Sequence, residues 1–151
     1  MIELLLVLVL VLMSGFFAMS EMAVITSRKA RLKEMAKDSR GAGKALELAE
    51  HPENFLSAVQ VWITLLGLLT GSLGAEPLAA RLEVPLSGID LISPYAHRIS
   101  LALSFGSILF VSVVLGELVP KRLGTLRPEA IAKAVALPMH LLALVAKPFV
   151  Y

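Results

Sequence analysis

Three apolar runs, residues 4–25, 55–78 and 99–119, each come close to the roughly 20 residues that a helix needs to cross hydrocarbon. In a bilayer every backbone N–H and C=O must find a partner inside the protein, which leaves helices as the form for such runs. The rest of the composition agrees. Hydrophobic residues make up 57% of the chain, charged residues 17%, and mean hydropathy is +0.80, too apolar for an ordinary soluble domain. The sequence therefore predicts an all-α membrane protein with three transmembrane helices, in a chain of 151 residues that suits a single domain. With no cysteine it offers neither disulfides nor thiolate metal sites.

Charge predicts orientation. Seven of the fourteen basic residues lie between Arg28 and Lys44, and Lys121, Arg122, Arg127 and Lys133 follow the third run, whereas the connection around Glu83 and Asp90 carries little positive charge. Basic flanks stay in the cytoplasm, so the N-terminus is expected outside and the C-terminus inside. The first run is preceded by Glu3 and no lysine or arginine, and it outlasts a usual signal-peptide core, so it reads as a retained anchor.

Residues 28–50 predict a juxtamembrane helix, with Leu32, Met35 and Ala36 on one face and Lys29, Lys33 and Lys37 on another. Gly41-Ala42-Gly43 is expected to break it before Lys44. Its charges either fix topology alone or bind anionic lipid headgroups. Residues 128–147 are apolar but carry Lys133 and His140, and Pro138 divides them into pieces too short to span. Short C-terminal interfacial helices, as a belt or a hairpin, are the expectation. The chain stops at Tyr151 without a polar domain, as a piece of a longer protein would.

The chemistry concentrates in Val113-Val114-Leu115-Gly116-Glu117-Leu118-Val119-Pro120-Lys121. Pro120 has no amide hydrogen, so in an α-helix the carbonyl of Gly116 loses its partner, and a glutamate stands beside it. Near hydrocarbon both need compensation by a cation, a proton or another polar helix. Other polar faces exist: Ser14, Ala18 and Glu21 on the first run; Gly67, Thr70, Gly71 and Gly74 with Ser72 on the second; Ser104, Ser112 and Gly116 on the third. Small residues also serve plain helix packing, and serines can return their hydroxyls to their own helix. Glu117 can also pair with Lys121, four residues on.

His51, His97 and His140 lie outside the spans, which leaves carboxylate, hydroxyl and carbonyl donors. Those suit hard cations such as magnesium, calcium, sodium or manganese rather than zinc or copper. No enzyme constellation occurs in the spans, since paired aspartates, a metal-binding histidine pair and a serine with a base are all missing. The basic cluster lacks interleaved aromatics and adjoins a membrane helix, which argues against nucleic acid as a partner.

Ser14-Gly15-Phe16-Phe17-Ala18-Met19-Ser20-Glu21-Met22-Ala23, the following Arg31-Leu32, Ile63-Thr64-Leu65-Leu66-Gly67 and Gly116-Glu117-Leu118-Val119-Pro120-Lys121 together resemble the transmembrane domain of the CNNM/CorC magnesium transporters, over nearly the whole chain. The resemblance implies a homodimer in the membrane that exports magnesium in exchange for sodium. It also implies cytoplasmic CBS domains and often a CorC domain, which this chain does not contain. By position it implies an ion site of Ser20, Gly116 and Glu117, with Gly15 and Glu21 less firmly placed. Many relatives carry asparagines where this chain reads Gly67-Leu68-Leu69-Thr70-Gly71-Ser72, so Thr70 or Ser72 would substitute for them. The alternative to a transporter is a dimeric membrane anchor that displays regulatory domains without moving ions.

Overall fold

The computed structural model describes residues 1–150, all organised around helices. In order these are α1 (Ile2–Thr26), α2 (Lys29–Met35), α3 (Arg40–Glu50), α4 (Pro52–Ser87), α5 (Ala96–Val113), α6 (Val119–Leu126) and α7 (Pro128–Val150). A 3₁₀ turn, Ser93–Tyr95, leads into α5, and a π-helical segment, Val114–Leu118, joins α5 to α6. No strand forms among the described residues.

α1 sits at the centre, packed against α4, the π segment, α6 and α7, while α5 lies along α4. Close approach is set by glycines. A Cβ on Gly124 would come within 2.5 Å of the Met19 carbonyl, and one on Gly74 within 2.8 Å of both Ile108 and Val7. Two side-chain contacts join α5 to α4: the buried Ser104 Oγ donates to Ala75 O at 2.8 Å, and the exposed His97 Nδ1 lies 3.0 Å from Glu83 Oε2. The outer faces carry exposed Leu5, Leu12, Leu68, Leu109 and Phe110, as expected of surfaces solvated by lipid tails.

The main buried cluster lies at one end, where Phe17 and Val24 of α1 meet Leu32, Leu48, Phe55, Val59 and Met139. Phe17 stacks on Trp62 at 6.0 Å, and Trp62 Nε1 donates to Leu142 O at 3.0 Å. Buried area of this kind favours one fixed arrangement of the short helices beneath the spans.

Three expectations change. The break in the juxtamembrane segment falls at Ala36–Ser39 rather than at Gly41-Ala42-Gly43. Ser39 caps α3 by accepting from Ala42 N, so those glycines lie inside the helix. Gly41 is there because a Cβ would collide with the Lys133 carbonyl of α7. The tail is one continuous helix and not two pieces, with Pro138 inside it; tertiary packing of α7 on α3, α4 and α1 outweighs the missing hydrogen bond. Four helical stretches rather than three, Ile2–Thr26, Pro52–Ser87, Ser93–Leu126 and Pro128–Val150, are thus long and apolar enough to cross a membrane.

Candidate cation site

Pro120 governs the local backbone. Its ring crowds the carbonyl four residues back, and the chain answers by widening the preceding turn into the π segment, where Val119 N–H reaches Val114 O. This places Gly116 and Glu117 on a bulge facing α1. Gly15 makes the approach feasible: a Cβ there would lie 2.9 Å from Pro120 Cγ and 3.1 Å from Leu115 O. Gly116 is buried, close to Val11 O and Ser14. Its role in the bulge is therefore bound up with contact to α1.

Beside the bulge is a cavity of about 270 Å³ lined by Ser14, Gly67, Gly71, Ser112 and Glu117 among apolar neighbours. Glu117 is partly buried. Ser112 Oγ is fully shielded and makes no hydrogen bond, an unsatisfied oxygen that calls for a partner. A Cβ on Gly67 or Gly71 would meet nothing within 4 Å, so both glycines leave open space there.

The remaining predicted residues are placed differently. Ser20 is fully buried and donates to Phe16 O at 2.7 Å; Thr70 is buried and donates to Leu66 O at 2.7 Å. Neither lines the cavity with Glu117, although each hydroxyl oxygen retains lone pairs for a cation. Ser72 is exposed, donates to Leu69 O, and does not line the cavity.

Glu21 lies in a separate, open cleft of about 730 Å³ with Ser57, Gln60 and Thr64. Its Oε2 is shielded and without a hydrogen bond, and Lys121 Nζ approaches to 3.6 Å. Lys121 thus pairs with Glu21 across helices rather than with Glu117 four residues earlier. Gln60 escaped sequence reasoning, though an amide inside an apolar run is itself a signal. No group of three or more His, Cys, Asp or Glu converges among the described residues, and the oxygen donors that line the cavity beside the bulge are the Glu117 carboxylate and the hydroxyls of Ser14 and Ser112.

Residues 5–151 match the Cyclin M transmembrane N-terminal domain (CNNM) family. The chain belongs to that family. It is similar to UPF0053 protein sll0260 of Synechocystis, with 48% identity over 151 residues, covering 99% of this chain and 34% of that protein. UPF0053 protein YhdT of Bacillus subtilis is 33% identical, with 99% and 32% covered. The polyamine export protein of Escherichia coli K12 is 30% identical over 153 residues, with 99% and 33% covered. This CNNM domain therefore spans about a third of the length of the curated relatives it matches. The matched family domain is a transmembrane one, in agreement with the helical, multi-pass architecture of this chain.

Proposed function

We propose that this domain is the membrane module of a cation exporter that carries magnesium out of the cytoplasm, with sodium as the coupling ion. The observation that supports it is the pairing, in one cavity, of the Glu117 carboxylate with the orphaned hydroxyl of Ser112. Magnesium parts from water reluctantly and takes oxygen ligands, often keeping several waters. A cavity of about 270 Å³ has room for a partly hydrated ion. Glu117 supplies charge, Ser14 and Ser112 supply hydroxyl oxygens, and the widened turn at Gly116 brings backbone carbonyls near α1. Ser20 and Glu21 would join when the helices shift about Gly15, Gly67 and Gly71.

In this reading three of the four candidate stretches span, with the N-terminus outside, while the fourth, α7, lies along the inner interface beside the charged helix α3. The functional unit is a homodimer, with lipid against the remaining apolar faces. In the longer protein, cytoplasmic domains would regulate the cycle.

Export of a linear polyamine is the second reading, favoured by the relative of that name at 30% identity and by the open space beside Gly67 and Gly71. The full-length protein in liposomes separates the two: magnesium efflux lost in Glu117→Gln supports the first, and polyamine efflux without magnesium efflux replaces it with the second. If neither cation moves and the dimer persists in Glu117→Gln, the domain is an anchor.

A further inference from the structure

We infer that a polar cavity where α1 and α6 end is a binding site for a phosphate-bearing anion, namely the headgroup of an anionic phospholipid. The cavity, about 650 Å³, is bounded by Arg28 and Arg31 on one side and by Arg127 and Glu129 on the other. Three guanidinium groups and one carboxylate leave an excess of positive charge. Four ion pairs form among the described residues, and none of them uses Arg28, Arg31 or Arg127. Glu129 is buried and already accepts the Arg28 backbone N–H at 3.2 Å, which anchors the loop that carries Arg28.

Guanidinium forks match phosphate oxygens two at a time. The first turn of α7, Pro128 to Ala130, also borders the cavity and brings the positive end of a 23-residue helix. The threonines there are not anion donors, because Thr26 and Thr125 spend their hydroxyl protons on Met22 O and Arg122 O. Recognition therefore rests on the arginines. A lipid source fits better than a free anion, since the cavity adjoins the last turn of the strongly apolar helix α1, where a spanning segment meets the bilayer surface. Leu126, 70% exposed, stands at its edge, where it can meet the glycerol and upper acyl chain.

The test uses the full-length protein in nanodiscs of phosphatidylcholine with or without phosphatidylglycerol, followed by native mass spectrometry of retained lipid. Arg31→Gln with Arg127→Gln is compared with Lys33→Gln with Lys37→Gln, which removes the same charge outside the cavity. Wild type and the lysine variant are expected to retain phosphatidylglycerol. The arginine variant should lose about fivefold in affinity per residue, or about 25-fold together. Equal loss in both double variants, or loss in neither, overturns the site. Inorganic phosphate is titrated calorimetrically in lipid-free detergent. Failure to bind, alongside selective lipid retention, supports the lipid source, whereas binding that disappears only in the arginine variant overturns that source in favour of a soluble phosphate.

Discussion

Two glycine-to-alanine substitutions should act in opposite directions on stability, and the structure gives both signs. At Gly15 the new methyl would lie 2.9 Å from Pro120 Cγ and 3.1 Å from Leu115 O, whereas relaxed carbon contacts lie at about 3.5–4.0 Å. α1 and the π segment must part by roughly 0.5–1 Å, because a proline ring has no rotamer with which to yield. Overpacking of this kind costs about 1–3 kcal/mol, and the better helix propensity of alanine returns at most about 1 kcal/mol. At Gly71 nothing lies within 4 Å, so the propensity gain stands alone while the methyl enters the cavity beside Glu117. Thermal unfolding in detergent should therefore fall for Gly15→Ala and hold or rise for Gly71→Ala. Cation efflux from liposomes should drop in both, in the first by misplacing Glu117 and in the second by filling its cavity. A Gly71→Ala protein that unfolds early, or one with wild-type efflux, refutes this account of the cavity; a Gly15→Ala protein of unchanged stability refutes the account of the helix contact.

Ser104→Ala removes the hydroxyl that joins α5 to Ala75 O and should lower stability by about 0.6–1.7 kcal/mol, read by unfolding in mixed micelles. Trp62→Phe keeps an aromatic ring but loses the bond to Leu142 O, at about 0.5–1.5 kcal/mol, and should speed hydrogen exchange in α7 more than in α5. Gly41→Ala should loosen α3 from α7 and open the segment to limited proteolysis, leaving α5 unaffected. Glu47 is held below its ordinary value of 4.5 chiefly by a hydrogen bond from Lys44, with further help from the charges of Lys44, His140 and His51. A carboxylate lowered on folding contributes stability above its unfolded value and loses it as pH falls through the native one. Lys44→Gln should therefore weaken protection of α3 near neutral pH and leave it unchanged at strongly acidic pH.

Much of the fold was legible in the apolar runs, which fall within α1, α4 and the continuous Ser93–Leu126 stretch. Their ends were less so. α4 runs on through Pro77 and Pro85 to Ser87, beyond the expected end near residue 78. Pro138 reads as a division of the tail, yet a helix held by neighbours on its flank tolerates one missing hydrogen bond there as at Pro77 and Pro85. The same limit applies to Gly41-Ala42-Gly43. Low helix propensity reads as a break, whereas the glycine is required by a backbone from another part of the chain.

For the candidate site, local pattern identified Glu117, Gly116 and Pro120 as unusual, because a proline and a carboxylate in an apolar run are costly wherever the helix lies. Polar periodicity also marked Ser14 and Ser112. Their convergence was settled by tertiary structure: Pro120 widens the turn locally, but it is Gly15 that lets α1 approach Pro120, and this approach brings Ser14, Ser112 and Glu117 to one cavity while Thr70 returns its hydroxyl to Leu66 and Ser72 is exposed. Hydrophobic period and backbone chemistry act over a few residues and so can be read along the chain. Which side chains meet across helices depends on how closely backbones pack, and that is decided by contacts between residues a hundred positions apart.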